Sequence, residues 1–224
     1  MTDELALWID DAERDGYVNM AVDEWLLERT ERPMMRVYRW QPGWGSFGYF
    51  VADAEAAEVL GIERKRVRRW TGGGVVDHAR DWTFTLAVPG RQWLAGMKGA
   101  ASYRVIHAAL ARALGELGVE ARLVGAARSV RGGDCFLQAV EHDLVDADGR
   151  KLAGGGQRRA RHGLLHQGSV VVPGGAKRVF GQLAEGLAQA LAERVEPVGF
   201  QPPNDDLARR VEVRYGHPSW ARRR

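Results

Sequence analysis

The sequence predicts an α+β protein, a single domain over residues 1–224 in which mixed and antiparallel sheets are flanked by helices. Three observations carry that expectation. Strand-like runs and amphipathic helical stretches follow one another in mixed order, often as hairpin-like neighbours. A chain of 224 residues is long enough to bury one sizeable core. Neither an internal repeat nor a low-complexity linker divides it.

The elements follow from pattern and punctuation. Leu5–Ile9 reads as a short buried strand and 17–29 as a helix, with Met20, Ala21, Trp25 and Leu27 near helical spacing. Met34–Trp40 is a strand ended by Gln41-Pro-Gly43; Ser46–Val51 is a second, and 52–59 a short Ala/Glu helix. Val67–Arg69 and Val75–Asp77 flank a glycine turn, and Trp82–Val88 alternates as a half-buried strand would. Ser102 is positioned to cap a helix that runs to Leu117 and closes at Gly118. Three strands follow, Phe136–Val145, Lys151–Arg158 and Leu164–Val172. Ala176–Val195 is a helix with Phe180, Leu183, Leu187 and Leu191 on one stripe, and Pro202-Pro203 opens a short final helix or turn.

Composition removes several function classes. The net charge of +3 is the small difference between 32 basic and 29 acidic residues, so nucleic-acid binding is not demanded. The basic run Arg64–Arg69 lacks interleaved aromatics and reads as a solvated strand face, a phosphate clamp or a docking patch for an acidic protein. No apolar run approaches the ~18 residues of a membrane span. The N-terminus is acidic where a signal peptide is basic. A single cysteine excludes an intrachain disulfide and a Cys-rich zinc module. A cytoplasmic monomer without bound metal, membrane or nucleic acid is the expectation.

Chemistry concentrates in four places. Arg68–His78 holds Gly72, Gly73 and Gly74, whose bare backbone can approach a ligand and offer amide donors. Lys151 opens a strand that runs through Gly154–Gly156 to Gln157, and can present an ammonium to an oxygen lying over that backbone. Random order of 28 glycines yields about 0.4 such triplets, so neither triplet means much alone. His166 begins His166-Gln-Gly-Ser169. Cys135 follows two glycines, sixteen residues before Lys151, a spacing that suits facing ends of a hairpin. His78, His142, His166 and Lys151 are candidate neighbours that would lower its thiol pKa.

Taken together and in this order, these segments resemble the superfamily of lipoate–protein ligases, octanoyltransferases and biotin protein ligases. The likeness runs through Asn19-Met-Ala-Val-Asp-Glu24, Arg36–Trp40, Ser46–Phe50, Arg68–Gly74 with His78, Lys151-Leu-Ala-Gly154 with Gln157-Arg-Arg159, His166–Ser169, and Tyr215 with Trp220. It implies a biotin/lipoate ligase-like catalytic domain whose sheet holds an acyl chain in an apolar tunnel. The polar end of the acyl group would lie between the glycine turn and Lys151. Cys135-Phe136, eight residues before Asp143-Leu-Val145, is similar to the cysteine motif of one octanoyltransferase branch, as is Asp81–Thr85 after His78. So is the lack of the extra C-terminal domain that many one-chain ligases carry.

The resemblance therefore implies a transferase that takes octanoate from octanoyl-acyl carrier protein onto Cys135. It then passes the group to a lysine of a lipoyl domain or of the glycine cleavage H protein, with no cofactor required. Cys135 and Lys151 would be catalytic. Arg69, Thr71, Gly72, Gly73, Gly74, His78, Gly154, Gln157, His166, Gly168 and Ser169 would bind substrate, with His78 or His166 assisting proton transfer. Gly72–Gly74 is also the form found in ligases, so an ATP- and Mg-dependent lipoate–protein ligase is the alternative. A non-catalytic acyl-binding protein on the same fold is the reading from another class.

Overall fold

The computed structural model describes residues 2–125 and 139–223. In chain order its elements begin with β1 (Thr2–Arg14), α1 (Gly16–Arg29), β2 (Met34–Trp40), β3 (Trp44–Phe47), α2 (Asp53–Leu60), β4 (Lys65–Arg68), β5 (Val75–Asp77) and β6 (Trp82–Pro89). They continue with α3 (Trp93–Gly96), α4 (Gly99–Glu116), β7 (Arg122–Leu123), β8 (Leu144–Val145), β9 (Lys151–Ala160) and β10 (Gly163–Val170). A 3₁₀ turn (Ala176–Val179), α5 (Phe180–Leu191), β11 (Ala192–Pro197), α6 (Asn204–Arg210), a π-turn (Val211–Tyr215) and α7 (Pro218–Ala221) complete them.

The α+β expectation holds. Eight strands form one mixed sheet in the order β11-β1-β2-β6-β10-β9-β8-β7, and β4-β3-β5 form a small second sheet. The first three strands of the large sheet are parallel and the remainder antiparallel. One face is covered by α4 and α5, where Ile106, Leu110, Leu183 and Leu187 meet Phe84, Leu86 and Val88. On the other, α1 and the C-terminal helices bring Met20, Leu26, Leu27, Leu207 and Trp220 against Tyr38, Ala87 and Leu165.

Four sequence expectations change. Every residue of β6 is buried, not alternate ones, because layers of helix lie on both faces of the sheet. The helix expected over 176–195 stops at Leu191, and Ala192–Pro197 is a strand paired in parallel with β1. Helix α4 starts three residues before Ser102, whose hydroxyl bonds the Gly99 carbonyl and Gln157 rather than capping. Of the strand expected over 136–145, only Leu144–Val145 falls within the described residues as strand. No described helix is long and apolar enough to cross a membrane.

Candidate active site

The two glycine triplets lie against each other. A Cβ on Gly156 would sit 2.2 Å from the Gly72 carbonyl oxygen, and one on Gly73 would sit 3.3 Å from the Gly155 carbonyl. Gly72 N–H points at the Gln157 carbonyl at 3.4 Å. The turn between β4 and β5 thus folds down onto the middle of β9, backbone on backbone. Gly73 has φ +94°, a conformation only glycine adopts without strain. The same turn is pinned from below by Gly48, whose own Cβ would overlap the Gly73 carbonyl at 1.9 Å.

Buried polar groups fix the turn to the sheet. Asp23 on α1 accepts Arg36 Nη1 at 2.7 Å, the Tyr38 hydroxyl at 3.0 Å and the Thr85 hydroxyl at 2.7 Å. It also accepts Gln167 Nε2 at 2.6 Å, and the Gln167 side-chain carbonyl accepts the Thr71 hydroxyl at 2.6 Å. Thr71 is thereby tied through Gln167 to a carboxylate one helix away. Arg36 is satisfied by Asp10 and Asn19 as well as Asp23. A buried charge persists only when paired in this way.

A second chain of donors ends at the turn. Arg69 donates to the carbonyls of Gly72 and Gly74 at 3.3 and 2.8 Å and to Ser46 Oγ at 2.7 Å. Ser46 Oγ lies 2.7 Å from His78 Nε2, and His78 Nδ1 lies 2.8 Å from Asp81 Oδ2. Asp81 also accepts Thr83 and Ser169 hydroxyls. His78 thus bridges Ser46 and Asp81 through its two ring nitrogens. Burial alone would raise the Asp81 pKa, but His78 and the two hydroxyls outweigh it and hold the carboxyl low. Burial lowers the Arg69 pKa to about 10. His78 is stacked on Trp40 at 3.7 Å and has both ring nitrogens engaged, so it orients Ser46 and Arg69 and through them the turn.

Lys151 reaches the same face of β9 as the turn. A Cβ on Gly154 would meet Lys151 Nζ at 2.9 Å, just as one on Gly156 would meet Gly72. Residues two apart on a strand project to one side. Asp143, almost fully buried, holds the lysine amine at 2.7 Å while the half-buried lysine stays open to a ligand. The other Asp143 oxygen accepts the Tyr103 hydroxyl at 2.6 Å, and that hydroxyl accepts Gly155 N–H at 2.7 Å. Burial, with Asp143 beside it, raises the Tyr103 pKa, so the phenol stays neutral. Neither Tyr103 nor Asp143 stood out in the sequence as a site residue. The only hint was that Asp143 opens the Asp143–Val145 segment noted beside Cys135.

His166 and Gln157 project from the opposite face, toward α4. Gln157 Nε2 faces His166 Nδ1 at 3.2 Å, and a Cβ on Gly155 would lie 2.9 Å from His166 Nε2. His107 packs beside them, 5.4 Å from His166 and 4.1 Å from Tyr103 between ring centroids. Burial depresses both histidines, His107 to about 4 and His166 well below its ordinary value. Among the described residues, His166 Nε2 and both His107 nitrogens lack a well-directed hydrogen bond. Gly168 makes room for Phe84, whose ring would lie 2.1 Å from a Cβ there. The structure thus gathers Arg69, Thr71, the turn, His78, Gly154, Ser169 and Lys151 on one side of the sheet, and puts His166 and Gln157 behind it. Cys135 lies outside the described residues. Among the described residues no group of three His, Cys, Asp or Glu side chains could hold a metal ion.

In the Arg64–Arg69 run, Lys65–Arg68 is a strand and Lys65 is exposed, but the arginines are engaged within the chain. Arg68 and Arg69 are buried, Arg66 is bound by Asp53 at 2.7 Å and Arg64 by Asp77 at 2.6 Å. Arg68 instead donates to the carbonyls of Tyr49, Val51, Trp220, Ala221 and Arg223, fastening the C-terminal segment to β4.

Residues 15–204 match the family model of the lipoyl protein ligase A/B catalytic domain. Octanoyltransferase LipM of Kyrpidia tusciae is 28% identical over 90% of this chain and 93% of its own length. LipM of Symbiobacterium thermophilum is 33% identical over 73% of this chain, and LipM of Staphylococcus aureus 30% identical over 73%. The chain spans 64% of the length of each of these two relatives. Among solved structures, lipoate-protein ligase A bound with ATP superposes with a TM-score of 0.73 at 18% identity, covering 99% of this chain and 98% of that one. A chain from the archaeal lipoylation system of Thermoplasma acidophilum, a bipartite lipoate protein ligase and its E2 lipoyl domain, superposes at 0.70 and 18% identity, covering 98% and 96%. These superpositions establish the fold.

Proposed function

Because the chain belongs to the lipoyl protein ligase A/B catalytic-domain family, we propose that it is an octanoyltransferase of protein lipoylation, working through a cysteine thioester. The observation that carries this reading is the half-exposed Lys151 ammonium, held by Asp143 over Gly154 on the face that the glycine turn covers. An octanoyl carbonyl entering there meets a fixed cationic donor. Such a donor stabilises the oxyanion of acyl transfer, and losing one typically costs about 2.7–4 kcal/mol.

Cys135 is the nucleophile in this reading. Its thiolate attacks the carbonyl of octanoyl-acyl carrier protein; the C–S bond to the carrier breaks and the carrier thiolate leaves. A lysine amine of a lipoyl domain, or of the glycine cleavage H protein, then attacks the enzyme thioester. The amide forms, Cys135 is regenerated as thiolate, and the proton lost by the amine passes through solvent to the released carrier thiolate, which leaves as the thiol. Thioester exchange is nearly isoenergetic and the amide lies downhill, so the cycle needs neither ATP nor Mg.

His78 serves here as the anchor of the turn through Ser46 and Arg69, and Thr71, Gly72–Gly74, Gly154 and Ser169 line the acyl end. His166, behind the sheet, supports Gly155 and Gln157 rather than moving a proton at the carbonyl. Transfer from octanoyl-carrier protein to a lipoyl domain without nucleotide is the test. We expect product with the wild type and none with Cys135→Ala. Attachment of free lipoate that requires ATP and survives Cys135→Ala would select the ligase reading instead.

A further inference from the structure

Beside the turn, three arginines and three aromatic rings close into a circuit. Arg158 lies over Tyr49 and Trp70, at 5.3 and 5.2 Å from the ring centroids. Arg214 lies over Trp70 and Trp220, at 5.4 and 5.3 Å. Arg223 lies over Trp220 and Tyr49, at 5.9 and 5.2 Å. Each ring is shared by two guanidiniums, so the circuit is a built feature rather than a scatter of surface charge.

Its parts are held from beneath. Trp220 is buried and donates Nε1–H to the Arg68 carbonyl, while Arg68 binds the Arg223 carbonyl. Arg214 is pinned by Glu24. Arg158 and Arg223, by contrast, have no carboxylate within ion-pair distance among the described residues. A guanidinium lying over aromatic rings can still donate its N–H groups to a carboxylate or phosphodiester; Arg223 is exposed, and Arg158 Nε is buried without a partner. The circuit borders the turn: Trp70 precedes Thr71, Tyr49 N–H bonds the Thr71 carbonyl at 2.8 Å, and Arg158 shares a face of β9 with Gly156. Phe50, 85% exposed, extends from Tyr49 at the rim and offers an apolar contact.

We propose that this circuit is the docking surface for the acidic protein that delivers the acyl thioester. The inference rests on the transferase reading and names the face by which its donor is recognised. Charge complementarity selects the occupant: the four arginines of the Arg64–Arg69 run are each bound within the chain, whereas Arg158 and Arg223 border the turn that the thioester must reach. Such a contact acts mainly on encounter and KM and weakens with salt.

The test compares wild type with the Arg158→Ala/Arg223→Ala variant on three octanoyl donors. These are acyl carrier protein, coenzyme A (phosphates without an acidic protein) and N-acetylcysteamine (neither). We expect the variant to lose about tenfold or more in kcat/KM with the carrier protein, chiefly in KM, and to lose its salt dependence. The N-acetylcysteamine rate should stay within about twofold. No loss with the carrier overturns the proposal, and so does an equal loss with all three donors, which would mean that the circuit shapes the site. Equal loss with carrier and coenzyme A alone would mean phosphate recognition and also overturns it. Calorimetric titration of carrier protein into the wild type separates the two readings. Binding that is lost in the variant supports the docking surface even if no donor turns over, whereas absence of binding overturns it.

Discussion

Gly72–Gly74 and Gly154–Gly156 are identical in sequence, yet the fold asks different things of them. In the turn, Gly73 is needed for its backbone angle, φ +94°, while a Cβ on Gly72 would meet nothing within 4 Å. In the strand, no angle is unusual, and each glycine is instead an empty space that something else fills. The Lys151 amine fills the first, His166 with the Gln167 carbonyl the second, and the Gly72 carbonyl the third. A flexible-looking triplet can therefore be a turn, or a flat place on a strand where a lysine and a second backbone are admitted.

Substitution at either triplet tests the difference directly. Gly154→Ala puts a methyl where the Lys151 amine lies, and the amine is the movable end of a flexible chain. We expect kcat to fall by about 10²–10³ with stability changed by less than about 1 kcal/mol, read by transfer assay and urea melt. Unchanged kcat would mean that the amine's place over Gly154 is not used.

The face behind the strand triplet gives the next effect. His107 has its pKa depressed from 6.5 to about 4 by burial, so between those values the unfolded chain binds more protons than the folded one. The stabilisation is complete above pH 6.5 and drains away as pH falls toward 4, by an amount on the order of 3 kcal/mol. His107→Leu should flatten that part of the stability–pH curve. An identical slope in the variant would contradict a neutral buried imidazole.

Gly156→Ala should cost about 2–3 kcal/mol, because the new methyl meets backbone that cannot swing aside. A melt within 0.5 kcal/mol of wild type, on the scale of a surface change, would deny the close approach. Tyr103→Phe strands Gly155 N–H and loosens Asp143. We expect about 1–2 kcal/mol less stability and a several-fold lower kcat with KM little changed. Gly72→Ala is expected to move stability by no more than about 0.5 kcal/mol, and a larger loss would place the turn closer to the strand than it is.

Much of the fold was legible because local signals agreed with it. Met34–Trp40 and Val75–Asp77 run as expected, and the stripe Phe180, Leu183, Leu187, Leu191 is buried. Strand β11 was illegible: its residues continue the preceding helical pattern, and only parallel pairing with a strand nearly 190 residues away makes them extended. The motif residues were visible, but not their sides. That His166 faces α4 while Gln167 faces the turn follows from strand parity once register is known. Tyr103 carried no signal, because its partner Asp143 comes from another element forty residues on. The fate of Arg64–Arg69 was equally hidden, since the Asp53 and Asp77 carboxylates and the C-terminal carbonyls that absorb it are brought together only by folding.

The most direct measurement is intact mass of the protein after mixing with octanoyl-carrier protein in the absence of nucleotide. A single hydroxylamine-labile octanoyl adduct is expected that forms on the wild type, forms at least about 10²-fold more slowly in Lys151→Ala, and is missing in Cys135→Ala. An adduct that persists in Cys135→Ala, or acylation that appears only when ATP is added, would contradict it.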